Sequence, residues 1–272
     1  MKKTKKFFQP EPHIFAHRGI PSEYPENSLI SFQKARESGA HVIETDVHLT
    51  RDNRFVIFHD DTLERTTGAE GKIANFTLSE LRQFDIAYNF SLDGISFPYR
   101  GKNLKVLSLE ELLEEFPEQR FNIELKNYNP SQVHIYCDII KKMNCQNRVL
   151  TASECSGNLT LSRALIPQMA TSSTRREAIC FLLSSWTGFI HLRKKYAFDA
   201  LQIPEYYRGI KVLNARFIDN AHNADLRVHV WTVNNEKDMV RLIKLGVDGI
   251  MSDCPVLLKK ISRESKFKNN FT

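Results

Sequence analysis

Two apolar stretches, VIETDVHL (42–49) and FVIFHD (55–60), are separated only by the polar turn TRDNR. A parallel crossover takes about a dozen residues or more, so these stretches must return on each other as an antiparallel hairpin. That joint constrains the rest of the chain. Apolar periodicity between Gly, Pro and Asp/Asn breaks predicts strands at 13–17, 42–49, 55–59, 121–126, 148–152, 168–172, 200–203, 227–233 and 249–252. Helical patterns fall between most of them, at 26–38, 108–116, 130–144, 175–194, 235–245 and 255–263. Strands that alternate with helices pair in parallel. Setting aside the second hairpin strand leaves eight parallel strands, the count that closes a (β/α)8 barrel. With the hairpin turn centred near Asp52 and Asn53, His59 is expected roughly opposite Asp46.

The 272 residues suit one such barrel, which takes about 250. Residues 60–107 exceed a simple loop and hold Thr66, Thr67, Gly68 and Gly71, then Phe76, Phe84, Tyr88, Phe90, Phe97 and Tyr99. Loops of that length are lids or small subdomains, and an insertion over the barrel mouth is expected. The plan is therefore a basic N-terminal tail (1–12), a barrel (13–263) carrying the insertion, and a C-terminal tail (264–272).

The net charge of +6 comes largely from MKKTKK and KKISRESKFKNN. Such ends are expected to be solvated and suit a transient contact with an acidic membrane surface. No basic groove interleaved with aromatics is present, so no nucleic-acid partner is expected. FFQPEPHIF interrupts the apolar run that a signal peptide needs, and no stretch approaches the roughly 20 apolar residues of a membrane span. The five cysteines are scattered without C-x-x-C spacing. They suit a reducing cytoplasm and imply no structural zinc. Cys254 lies near a strand end, where a nucleophile is conceivable, but a buried thiol more often packs as a small hydrophobe.

Strict alternation in VIETDVHLT sends Ile43, Thr45 and Val47 to one side and Glu44, Asp46 and His48 to the other. Glu124 and Lys126 share a face in FNIELKN, on a strand expected beside the first. Carboxylates grouped on an apolar strand are costly to bury unless positive charge sits between them. Glu44, Asp46 and Glu124 would then hold one hard divalent cation, Mg²⁺, Mn²⁺ or Ca²⁺. An interior ion-pair layer, Glu124 with Lys126 or Arg18, explains the same spacing. His17 and Arg18 end the first strand on the same rim, and His59 returns on the hairpin. Taken singly, such histidines are usually core or surface residues. Together they describe acid-base chemistry on an anionic centre, with a planar arginine fork for phosphate oxygens. His41, His48, His134, His191, His222 and His229 lack comparable partners, and His48 is expected past the ligand-bearing part of its strand. There is no G-x-S-x-G, P-loop or G-x-G-x-x-G, which disfavours serine hydrolases, P-loop nucleotidases and dinucleotide oxidoreductases.

AHRG with PENSLISFQKA, IETDVHLTRDN, VIFHDDTLERTTG, NIELK, HVWTVN and GVDGIMSDCP occur in that order from about 13 to 258, and together they resemble the glycerophosphodiester phosphodiesterase family. The resemblance implies an α/β fold, a distorted TIM barrel with a small inserted subdomain, and hydrolysis of glycerophosphodiesters to glycerol 3-phosphate and an alcohol with a divalent cation. It places His17 and His59 as the acid-base pair, Glu44, Asp46 and Glu124 as metal ligands, and Arg18 and Lys126 at phosphate. Trp231 matches a rim aromatic, although a Trp there can equally plug a barrel. Val106 stands where the family often has proline, and Ser252 where threonine is common. A lysophospholipase D acting on single-chain phospholipids shares the motif set, with the aromatic insertion as its acyl site. A catalytically inactive scaffold that binds phosphate esters is the alternative from another class. The oligomeric state is left open.

Overall fold

The computed structural model describes residues 5–11, 13–127, 129–187 and 195–269. In chain order its elements are β1 (Ile14–His17), α1 (Leu29–Ser38), β2 (Val42–Leu49), β3 (Phe55–Ile57), α2 (Glu64–Thr67), α3 (Leu78–Leu81), α4 (Leu109–Glu115) and β4 (Arg120–Leu125). There follow α5 (Pro130–Lys142), β5 (Val149–Ala152), α6 (Ser156–Leu165), β6 (Ala170–Thr171), α7 (Arg175–Thr187) and β7 (Ala200–Ile203). A ribbon, β8 (Tyr206–Tyr207) and β9 (Ile210–Lys211), precedes α8 (Ala215–Asn223), β10 (Arg227–Val230), α9 (Glu236–Leu245), β11 (Gly249–Ser252) and α10 (Pro255–Asn269). Residues 188–194 of the helix expected over 175–194 lie outside the described part.

Eight parallel strands follow the order β6-β5-β4-β2-β1-β11-β10-β7. The ends meet where Ser172 bridges Ala200 in parallel and the Ser173 amide donates to the Ala200 carbonyl at 2.7 Å. The result is a TIM barrel, distorted where β6 is reduced to two residues. No helix of the described residues is long and apolar enough to cross a membrane.

β3 pairs antiparallel with β2, Val47 opposite Ile57 and Leu49 opposite Phe55. The register differs by one residue from the sequence expectation. The Thr50 amide donates to the Arg54 carbonyl at 2.9 Å, so the turn centres on Asp52 alone. Phe58, not His59, then lies opposite Asp46, its amide donating to the Asp46 carbonyl at 3.1 Å.

Strand alternation separates two cores. Ile43, Val47, Ile123 and Leu125 pack outward in the main core with the helices, whereas Phe15, Val42, Leu150, Ala170, Ala200 and Met251 form a separate cluster inside. Phe7 and Phe8 complete that inner cluster, so the N-terminal segment is not wholly a solvated tail. Burying a phenylalanine fully is worth about 2 to 3 kcal/mol, which outweighs the exposure preference of the surrounding lysines. Lys5 pairs with Asp199 at 3.2 Å at the same end. At the other terminus α10 runs to Asn269, past the boundary expected at 263.

Above the inner cluster the Gln202 amide donates to Asn122 Oδ1 (3.3 Å) and to His229 Nδ1 (3.2 Å). His229 packs on Phe15 with ring centres 4.5 Å apart. Residue 249 must be glycine, because a Cβ would lie 2.5 Å from Phe15 Cε2 and 2.9 Å from His229 Cδ2. Burial pulls the His229 pKa down from 6.5 to about 4. The unfolded chain therefore takes up a proton between these values that the native state refuses. This contribution to stability is complete above 6.5 and lost as pH falls toward 4, by about 3 kcal/mol in all. Urea unfolding between about pH 7 and about pH 4.5 checks it: His229→Gln should show a shallower loss than the parent.

The insertion has its own small core of Val56, Phe58, Leu63, Ile73, Leu78, Leu81, Ile86 and Val106, with Phe76 and Phe84 packed against it. Thr77 and Ser108 begin α3 and α4 with capping boxes to Glu80 and Glu111. Tyr99 meets Tyr24 in the β1–α1 connection, ring centres 6.4 Å apart. The insertion thus packs beside the barrel mouth.

Candidate active site

The carboxylates expected from alternation do turn inward. Parallel pairing sets His17 beside Glu44 and Asp46 beside Glu124. Carboxylate oxygens of Glu44, Asp46 and Glu124 lie within 4.8 Å of one another, with Glu44 and Asp46 almost fully buried. Lys126 Nζ lies 2.9 Å from both Asp46 Oδ1 and Glu124 Oε2, and Arg18 Nε lies 3.5 Å from Asp46 Oδ2. Burial, then the charge of Asp46, pushes Glu44 up to about 7. Burial would raise Asp46 as well, but Lys126 and Arg18 hold it below the usual carboxylate range. Burial raises Glu124, with Lys126 opposing. The ion pairs of the interior-layer reading are present, but they leave one acceptor unused: Asp46 Oδ2 is buried without a hydrogen bond. Three carboxylates with an oxygen each this close together fit a hard divalent cation.

The turn after β1 sets Arg18. Its φ is +54°, and its amide donates to the Glu44 carbonyl at 3.0 Å. The next residue, at φ +93°, must be glycine: a Cβ on Gly19 would fall 2.1 Å from Ser31 Oγ. Arg18 Nη1 also donates to Glu26 Oε1 at 3.2 Å.

The two histidines are held alike. His17 Nδ1 donates to Asp253 Oδ1 at 2.7 Å, and His59 Nδ1 donates to Asp60 Oδ1 at 2.6 Å. A carboxylate on Nδ1 fixes the ring and leaves Nε2 for the cavity. Burial alone would lower the His17 pKa, but the Glu44 charge and the Asp253 hydrogen bond outweigh it, and the net shift is upward. Arg65 steadies Asp60 at 2.5 Å and clamps Glu26 at 2.7 and 2.8 Å. Neither Asp253 nor the Glu26–Arg65–Asp60 chain was found from sequence. For Asp60 the available signal was its place directly after His59 in the HDD run.

His48 has partners that its sequence does not reveal: Nε2 donates to the His59 carbonyl at 3.0 Å, and Asp61 lies 3.6 Å from Nδ1. It thereby props the strand end that carries His59. His222 pairs with Asp248 at 2.9 Å, away from the cavity, while His229 is interior. His191 lies outside the described residues.

All eight expected residues, His17, Arg18, Glu44, Asp46, His59, Glu124, Lys126 and Trp231, line one cavity of about 420 Å³ at the C-terminal ends of the strands. Trp231 is 42% exposed, so it stands on the rim and does not plug the barrel. The cavity also has an apolar lining, which includes Ala178, Ile179 and Leu182 of α7 with Ile203, Pro204 and Val212. The insertion aromatics Phe76, Phe84, Tyr88, Phe90, Phe97 and Tyr99 are not among the lining residues. Much of the apolar surface of the site therefore comes from α7, the end of β7 and the segment after it, with none from the aromatics of the insertion.

The model of the glycerophosphoryl diester phosphodiesterase family matches residues 17–257. A glycerophosphodiester phosphodiesterase from Bacillus altitudinis is 33% identical over 93% of this chain and 99% of its own length. One from Caldanaerobacter subterraneus subsp. tengcongensis is 31% identical over 92% and 98%. An Oleispira antarctica phosphodiesterase, solved with the product sn-glycerol-3-phosphate, superposes with a TM-score of 0.76 at 26% identity, covering 94% of this chain and 98% of that one. With the barrel, the site at its mouth and a match from the first strand to the last helix, the chain belongs to the glycerophosphoryl diester phosphodiesterase family.

Proposed function

We propose that this phosphoric diester hydrolase converts glycerophosphodiesters to glycerol 3-phosphate and an alcohol by two-histidine acid-base catalysis. One observation carries the mechanism: two imidazoles, each tied through Nδ1 to a carboxylate, face one cavity beside the acidic cluster. Arg18 and Lys126, already at the cluster, present cationic donors to the phosphate oxygens and offset charge that grows in the transition state. One histidine takes the proton of the nucleophile at Nε2, and the other gives a proton to the departing alkoxide. Glu44, Asp46 and Glu124 would hold one divalent cation, Mg²⁺, Mn²⁺ or Ca²⁺, which supplies Lewis-acid stabilisation of phosphoryl charge. Trp231, on the rim of the same cavity, is placed to contact the bound substrate. The glycerol 3-phosphate in the Oleispira antarctica neighbour is the product this chemistry yields. Five free thiols support a cytoplasmic setting.

The apolar wall of α7 supports a second reading, removal of the headgroup from a single-chain phospholipid. Product analysis by ³¹P NMR separates the two. Glycerophosphocholine and glycerophosphoethanolamine are expected to yield glycerol 3-phosphate faster than lysophosphatidylcholine yields lysophosphatidic acid. The reverse order would make the α7 wall an acyl site and the chain a lysophospholipase D.

A further inference from the structure

The wall that closes the cavity on its apolar side continues onto the outer surface. Along α7 the buried face is Phe181 and Ser185, yet the opposite face carries Ile179, Leu183 and Trp186 at helical spacing, where a surface helix normally bears polar groups. The β8–β9 ribbon adds Tyr206, Tyr207 and Ile210, and all six side chains are 37 to 55% exposed. The two elements meet where the Arg175 guanidinium stacks over the Tyr207 ring at 5.1 Å. Ile179 and Tyr207 belong both to this surface and to the cavity wall. An exposed apolar patch that rims a cavity marks a contact surface.

Its charges identify the partner. Arg175 and Arg176 flank the patch on α7, and Arg208 and Lys211 flank it on the ribbon, with Lys211 over the Tyr206 ring at 5.9 Å. The acids nearby are already engaged: Glu177 with Arg163 at 2.8 Å, and Glu205 with Arg241 at 2.7 Å as well as 4.0 Å from Lys211. Aromatic and aliphatic side chains ringed by arginine and lysine are the makeup of an interfacial element on an anionic bilayer. We propose that α7 and the β8–β9 ribbon dock the barrel mouth onto an anionic lipid surface. The described part of the basic N-terminal segment lies at the opposite end of the barrel, with Phe7 and Phe8 in the inner cluster and Lys5 paired with Asp199. The proposal concerns binding and holds whichever diester is cleaved.

The test is co-sedimentation with vesicles of phosphatidylcholine, alone or equimolar with phosphatidylglycerol. The protein is expected to bind the anionic vesicles, to bind the neutral ones weakly, and to dissociate as salt rises. Arg176→Gln with Arg208→Gln, and separately Leu183→Ser with Trp186→Ser, should each weaken partition by about tenfold or more. Turnover of soluble glycerophosphocholine should stay at the parent rate in both, which shows that they fold and separates docking from catalysis. The proposal is overturned if the parent ignores anionic vesicles or if both variants partition like it. It is likewise overturned if sedimentation velocity shows the patch joining two copies of the chain, with lipid binding indifferent to its loss.

Discussion

Alanine at His17, or at His59, is expected to lower kcat on glycerophosphocholine by about 10³-fold, with the fold intact. Each ring loses one hydrogen bond, to Asp253 or to Asp60, so the stability cost should stay within about 2 kcal/mol. A large loss of rate beside a small loss of stability is the signature of proton transfer and not of support. Asp253→Asn sharpens the point. Its amide can donate to Nδ1 and favour the tautomer with the proton on Nε2, so turnover should fall by about tenfold or more although every ring atom stays in place. Turnover numbers and thermal melts on the same preparations check all three, and near-parent rates in His17→Ala or His59→Ala would remove the acid-base assignment.

Asp46→Asn carries the second large effect. Asp46 is the carboxylate shared by Lys126 and Arg18, and its Oδ2 is the buried acceptor left without a hydrogen bond. As a ligand of a divalent cation, its loss should weaken metal binding by about 100-fold or more and depress turnover to match. As a member of an ion-pair layer alone, its loss would alter stability and leave any divalent-cation effect unchanged. Calorimetric titration of Mg²⁺, Mn²⁺ and Ca²⁺ into parent, Asp46→Asn and Glu44→Gln separates these outcomes. One saturable site in the parent that fails in both variants is expected; equal heats in all three would leave the cluster as ion pairs.

Much of the barrel was legible because its strands obey a period of two and several of its helices carry their own start signals, such as Ser28, Ser108 and Asn235 at the caps. The acidic cluster was legible for the same reason: alternation puts Glu44 and Asp46 on one face, and the order of parallel strands brings Glu124 alongside. What failed was local or tertiary. SGNLTLSRAL, which forms α6, opens on Ser, Gly and Asn without a strong start signal, and Asn158 Nδ2 is buried against the Ser153 hydroxyl and the Asn127 carbonyl. α8 likewise has no apolar run long enough to stand out. The β8–β9 ribbon has two residues per strand around Arg208 and Gly209, both at positive φ, too short for an alternation to register. Asp253 reaches His17 across 236 residues, a contact that only the closure of β1 on β11 creates. The aromatic content of the insertion pointed toward the mouth, but Phe76 and Phe84 are used in packing, and the apolar wall came from α7.

The measurement that tests the central claim most directly is ³¹P NMR of glycerophosphocholine turnover by the parent protein, first in EDTA and then with Mg²⁺, Mn²⁺ or Ca²⁺ restored. Glycerol 3-phosphate formed only when a divalent cation is present is the predicted result. Equal turnover in EDTA would contradict the role given to Glu44, Asp46 and Glu124, and no glycerol 3-phosphate under any of these conditions would contradict the reaction itself.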